Sequence, residues 1–158
     1  MKNKFNPFKK FNSDWALVTA GTKDKFNSMT ISWGSMGTLW NKRVITIYIR
    51  PERYTHHFIE ENEYFTISFF DDKYKKELEM MGSLSGRDID KVKEVGFAPL
   101  YIKDDVISYK EANHTYICKK IYTHHMNKDD MPSFALKHYG ENGLAHTLFI
   151  GEVIDIIK

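Results

Sequence analysis

Much is missing from this chain. It has one cysteine, Cys118, in 158 residues. No intramolecular disulfide framework can form, so a reducing compartment, the cytoplasm, is expected. No apolar run approaches the roughly 20 residues that cross a bilayer, so no membrane partner is expected. The N-terminal "MKNKFNPFKKFNSDW" is basic but has no apolar core, and does not read as a secretory signal. Net charge is only +2, too small to argue for nucleic acid on charge alone. Only "KNKFNPFKKF" interleaves cations with aromatics in the way a barrel binding single strands would.

Metal and nucleotide-loop signatures are missing too. There is no HExxH, and the pairs His56-His57 and His124-His125 are sequence neighbours. Neighbours diverge by about 100° on a helix and point to opposite faces of a strand, so neither pair chelates alone. With His114, His138 and His146 scattered, no metal site is expected. "GSLSGRD" (Gly82–Asp88) lacks the Lys-Ser/Thr ending of a phosphate-binding P-loop. Cys118 lies mid-strand and reads as a buried structural thiol. "EMMG" (Glu79–Gly82) reads as core packing.

What is present is a packed globule, with 42% hydrophobic and 15% aromatic residues. No repeat, low-complexity tract or linker breaks the chain. One domain over residues 1–158 is expected, with residues 1–14 as an arm. "WALVTAG" (Trp15–Gly21) and "SMTISWG" (Ser28–Gly34) read as strands, the second ending in a loop containing Gly and Ser. "RVITIYIR" (Arg43–Arg50) alternates best, with Ile45, Ile47 and Ile49 on one face. A helix of about ten residues follows, to Asn62, and then a buried strand "YFTISFF" (Tyr64–Phe70). Residues 73–96 read as helix and turn, with Asp88 capping a short helix stopped by Gly96. "YIKDDVISY" (Tyr101–Tyr109) reads as a hairpin around Asp104-Asp105. "HTYICKKIYT" (His114–Thr123) and "HTLFIGEVIDII" (His146–Ile157) read as long strands, with a bulge or bend at Gly151. The order is mainly β with short helices (α+β), which favours a closed or partly closed antiparallel barrel.

The join in "VITIYIRPERYTHHFIEEN" (Val44–Asn62) carries two arginines, Arg50 and Arg53, where a helix begins. Helix N-termini present unpaired N–H groups and attract anions. Arg adds a donor fork suited to phosphate. The other reading is that both arginines are solvated or pair with Glu60, Glu61 or Glu63. Nearby, Asn27, Ser28, Thr30 and Ser32 lead to Trp33-Gly34-Ser35. Small polar residues beside a strand let a flat ligand reach the backbone. Trp33 either walls that ligand or fills core.

Together, "ALVTAG", "FNSMTISWGSMG" and "VITIYIRPERYTHHFIEENEYFTISFF" resemble the flavin reductase-like, FMN-binding split-barrel family, which includes flavoredoxin. "SGRDIDKVKEVGFAP" (Ser85–Pro99) and "HTLFIGEVIDI" are also similar to that family's blocks. The resemblance covers about residues 12–157. It implies an antiparallel split β-barrel with short peripheral helices, a homodimer, and FMN near the subunit interface. It also implies an oxidoreductase that passes electrons from NAD(P)H or another donor through FMN to an acceptor. A non-enzymatic FMN electron carrier or storage module on the same fold is the alternative. By position, Asn27, Ser28, Met29, Thr30, Ser32 and Trp33 would hold the flavin ring and ribityl chain. Arg50, Arg53, Tyr54 and Thr55 would take the phosphate, and Lys91 would lie near the flavin. No protein group is expected to act as nucleophile or essential base. Family members often carry Gly-Asp-His before the last strand. Here the residues are Leu144-Ala145-His146, so His146, the implied nicotinamide contact, matches and its acidic neighbour does not.

Overall fold

The computed structural model describes residues 4–158. The chain runs α1 (Pro7–Asn12), β1 (Ala16–Gly21), β2 (Phe26–Ile31), β3 (Gly34–Leu39), β4 (Lys42–Ile49), α2 (Tyr54–Glu61), β5 (Tyr64–Phe69) and α3 (Lys75–Ser83). It continues through α4 (Lys91–Val95), β6 (Pro99–Lys103), β7 (Val106–Tyr109), β8 (His114–His125), α5 (Ser133–Leu136) and β9 (Thr147–Ile157). Seven strands form one sheet in the order β2-β1-β5-β8-β9-β4-β3, and β6-β7 is a separate hairpin. Every pairing is antiparallel. The end strands β2 and β3 do not pair with each other, so the barrel is split.

Two apolar clusters hold this arrangement. Ile45, Ile47 and Ile49 point into the larger, with Val18, Phe65, Phe149 and Ile59 of α2. That face is the one expected from the alternation in β4. β1 is buried on both sides. Its other face gives Leu17 to a second cluster with Leu78, Met81, Phe97 and Tyr109, which seats α3 and the β6-β7 hairpin. Between the clusters, Ser28 hydrogen-bonds Thr19 and the Tyr109 hydroxyl, each at 2.6 Å. Buried hydroxyls without such partners would be costly. Cys118 is buried, and burial pushes its thiol pKa up, as an inert structural thiol requires.

The structure corrects four expectations. The arm is partly helical: Asn6 caps α1 through Lys9 N, Pro7 opens it, and Phe11 is buried. Residues 1–3 of the arm lie outside the described part. The loop expected after Gly34 is strand β3. It joins β4 through Trp40 and Asn41, both at positive φ (52° and 60°), the geometry of a tight hairpin turn. α4 is capped by Asp90, whose carboxylate accepts from Lys93 N at 3.1 Å, rather than by Asp88. Gly96 does end it, in the left-handed region at φ 85°. The helix expected to reach Asn62 stops at Glu61, and the Asn62 side chain instead bonds the Phe58 carbonyl.

Gly151 pairs regularly with Ile45, while the adjoining register slips occur at Ile121 in β8 and Ile154 in β9. Its reason is close packing. A Cβ there would lie 2.6 Å from both the Cys118 Cβ and the Phe65 ring. Gly151→Ala should therefore lower stability by about 1–3 kcal/mol through overpacking, read as a lower urea midpoint. An unchanged midpoint would contradict this packing.

Candidate functional site

β2 is an edge strand, so alternate N–H and C=O groups on its free side have no ladder partner. Cavities follow that side. One of about 180 Å³ is lined by Met29, Thr30, Ser32, Trp33, Arg50 and His146. Another of about 220 Å³ includes Asn27, Arg53, Tyr54, Thr55, Arg87 and Lys91 in its lining. Thr30, Ser32, Gly82 and Ser83 line a third region between them. α3 packs against the strand here: Thr30 donates to the Leu78 carbonyl, and a Cβ on Gly82 would meet Thr30 Cβ at 3.2 Å.

The cationic end is built from the start of α2 and the loop after α3. Arg53 occupies the N-cap position of α2 without a side-chain cap. Thr55 does not cap it either; it is buried and accepts from Asn27 Nδ2 at 2.8 Å. Arg53 Nη2 donates to the Gly82 carbonyl at 2.7 Å. Lys91 Nζ donates to the carbonyls of Met81 (2.9 Å) and Leu84 (3.2 Å). Arg87 donates to the Glu52 carbonyl at 2.9 Å, with its guanidinium 5.0 Å over the Tyr54 ring. Carbonyls thus aim three cations at one cavity, and the only carboxylate among its lining residues is Glu52. Gly86 lets the loop close: a Cβ there would lie 2.1 Å from Asn27 Oδ1. Burial, with Arg53 beside it, brings the Lys91 pKa down to about 8.

The other end is aromatic. Trp33 is 41% exposed, so it is not core filler. Its ring meets His138 edge-on at 5.0 Å and His146 at 5.2 Å. The Tyr139 hydroxyl and His146 Nδ1 are 2.6 Å apart. Burial, then the charge of Arg50, lowers the His146 pKa to about 4, so its ring is neutral at pH 7. Arg50 belongs to this end. It donates to the His138 carbonyl at 2.5 Å, lies 5.3 Å over the Tyr139 ring, and stands 3.8 Å from Glu52.

The structure therefore gathers Asn27, Arg53, Tyr54, Thr55 and Lys91 at one end, and Met29, Thr30, Ser32, Trp33, Arg50 and His146 at the other. Arg50 and Arg53, read together in the sequence, line different cavities. Among the described residues neither pairs with Glu60, Glu61 or Glu63; Lys119 takes Glu63 at 3.2 Å and His56 faces Glu60 at 3.7 Å. Ser28 turns its hydroxyl inward, so only its backbone is left for the groove. Gly86 and Arg87 carry no separate signal in the sequence beyond their place in "SGRDIDKVKEVGFAP". His138 and Tyr139 carry no local signal; only the fold brings them to Trp33.

No curated relative matches the chain. Among solved structures, flavoredoxin from Methanosarcina acetivorans is 22% identical, with TM-score 0.72, covering all of this chain and 73% of its own. An FMN-binding protein from Thermus thermophilus, solved with bound 1-cyclohex-2-enone, is 18% identical with TM-score 0.71, covering 100% and 79%. A protein with a split barrel domain from Shewanella frigidimarina is 18% identical with TM-score 0.71, covering 90% and 65%. These likenesses establish the split-barrel fold. The model of the "Flavin reductase like domain" matches residues 8–157; the chain belongs to the flavin reductase-like family.

Proposed function

We propose that this protein is an FMN-dependent oxidoreductase that takes electrons from NAD(P)H. The carrying observation is the convergence of Arg53, Arg87 and Lys91 on one cavity, at the end of a groove whose other end is aromatic. The donor set suits a phosphate, for which Arg offers a fork and Lys a point charge. From Asn27 to Trp33 the strand direction covers on the order of 20 Å, long enough for an extended flavin mononucleotide. The similar Thermus thermophilus protein, which is FMN-binding, supports the same cofactor.

On this reading Arg53, Lys91 and Arg87 hold the phosphate, with Asn27, Tyr54 and Thr55 shaping the cavity. The free edge of β2, from Ser28 through Met29 and Thr30, with Ser32 just beyond the strand, faces the ribityl chain and ring. Bound FMN supplies the hydride and electron chemistry. Trp33 shields one side of the ring from water. Arg50 fastens the segment after α5 and keeps positive charge near the ring. His146, neutral and paired with Tyr139, offers a hydrogen-bonding group to the nicotinamide. The lone buried thiol suits the cytoplasm. Among the described residues no helix is long and apolar enough to cross a membrane. Ala145, in place of an acidic residue before His146, favours the second reading, an FMN electron carrier. Steady oxidation of NADH or NADPH with FMN supports the enzyme; no turnover with either supports the carrier.

Trp33 and its cavity are open to the surface, so a second copy completes the wall of the proposed homodimer. Light scattering across a dilution series should give the dimer mass. A monomer that still holds FMN tightly would refute this arrangement.

FMN should bind more tightly than riboflavin, and Arg53→Ala should erase most of the difference. One charge-assisted hydrogen bond is worth roughly 1.5–3 kcal/mol, which is on the order of 10- to 100-fold in affinity. A purely structural Arg53 would weaken both ligands equally, and fluorescence titration separates these outcomes.

FMN affinity should also depend on pH. Lys91 with a pKa of about 8 is charged below that pH, and a bound phosphate stabilises the charged form. Affinity is then full below about pH 8 and falls as pH rises through it, whereas riboflavin affinity stays level. A flat FMN profile between pH 7 and 9.5 would remove Lys91 from the phosphate site.

A further inference from the structure

The cavity at Trp33 measures about 180 Å³, below the roughly 300–1,000 Å³ of small-molecule sites. A flavin ring that enters it must extend beyond it. Along Thr30, Ile31 and Ser32 it runs into the region of about 250 Å³ beside α3, since those three residues line both. Among the described residues, Trp15 is the one aromatic side chain lining this second region, and Glu79 the one charged. Ala16 pairs with Ile31 across β1 and β2. Trp15, one residue before, therefore stands at the end of the ladder beside Ser32, and Trp33 follows Ser32 directly.

Trp15 is held in an unusual way. Its backbone lies in the left-handed region, at φ 69°, which bulky residues rarely adopt. Such strain persists only where the surroundings enforce it, and it clusters at ligand sites. Here Lys75, the first residue of α3, secures the turn. Its ammonium lies 3.4 Å over the Trp15 ring and donates to the Ser13 carbonyl. Asp14, between those two residues, pairs with Lys9 and Lys10 of α1 at 3.0 and 3.2 Å. The turn is thus fastened to both α1 and α3. Trp15 also packs against the second apolar cluster, so it bridges that cluster and the groove.

We propose that Trp15 is a second aromatic contact of the flavin ring, on the α3 side of Ser32, and that Lys75 is the positioning residue that holds it there. The inference rests on the flavin reading of the groove. It places the ring along Thr30, Ile31 and Ser32, with Trp33 at one end and Trp15 at the other.

Lumiflavin, the ring without ribityl chain or phosphate, is the probe. Protein grown with isotope-labelled tryptophan gives three indole N–H signals in a magnetic resonance spectrum, one for each Trp. Trp33→Phe and Trp40→Phe identify them without any change at Trp15. Saturating lumiflavin should move the Trp15 and Trp33 signals and leave Trp40, at the β3-β4 turn, in place. This readout uses the parent protein, so it stands even where a Trp15 variant fails to fold. Titration adds the energetics. Trp15→Leu should raise the lumiflavin and FMN dissociation constants by the same factor, about tenfold, and Trp15→Phe should restore most of the loss. Lys75→Met should weaken lumiflavin binding and move the Trp15 signal of the free protein. Lys75→Arg should restore both, because Arg also sits over an aromatic face. A Trp15 signal unmoved by bound lumiflavin, or a folded Trp15→Leu that binds lumiflavin like the parent, overturns the proposal. Parent-like lumiflavin binding by Lys75→Met overturns the role of Lys75. If neither lumiflavin nor FMN binds the parent, the flavin reading falls and this inference with it. If both bind and only Trp33 responds, this inference alone falls.

Discussion

Strand β2 pairs with β1 on one side and with no strand on the other, and the site depends on this open edge. Had the sheet closed through β2 and β3, the backbone groups from Phe26 to Ile31 would be used up in a ladder. An exposed edge invites pairing with another chain. Here α3 and the loop after it lie along the strand instead, brought close by Gly82 against Thr30 and Gly86 against Asn27. The result is a groove with hydrogen-bonding backbone on one wall and helix on the other.

Both ends of the groove are held by side chains bonded to backbone carbonyls. Arg53, Lys91 and Arg87 each donate to a carbonyl of the segments that form the cationic cavity. Arg50 does the same at the aromatic end through His138. Such bonds orient a cation without neutralising it, so its charge is kept for an incoming anion. A carboxylate partner would cancel that charge. Burying a lysine this way has a cost, expressed in the lowered pKa of Lys91. An anion in the cavity would offset that cost, which links binding to protonation.

Regular elements were legible wherever burial alternates with the strand period. β4 shows this clearly: its isoleucines point to the core as the spacing requires. β3 was not legible because "GSMGTL" (Gly34–Leu39) is small, polar and partly exposed; its pairing with β4 makes it a strand. α1 was legible in principle from Asn6-Pro7, a cap followed by the favoured first residue. At the site, the polar run from Asn27 to Trp33 and the Arg53-Tyr54-Thr55 corner could be read as neighbours in sequence. What could not be read was which arginine faces which cavity. Arg50 directly follows β4 and turns toward the segment after α5, whereas Arg53 begins α2 and turns toward α3. Three residues of separation become two ends of a groove. His138 and Tyr139 have no pattern of their own, and only the return of β9 beside β4 brings them to Trp33.

The proposed function depends on the orientation of one ligand along β2. A crystal structure of the protein with FMN measures it directly. The phosphate should lie within hydrogen-bonding reach of Arg53 and Lys91, with the ring beside Trp33 and the free edge of β2. A phosphate at Arg50, a ring at the Arg53 end, or FMN bound away from β2 would contradict it.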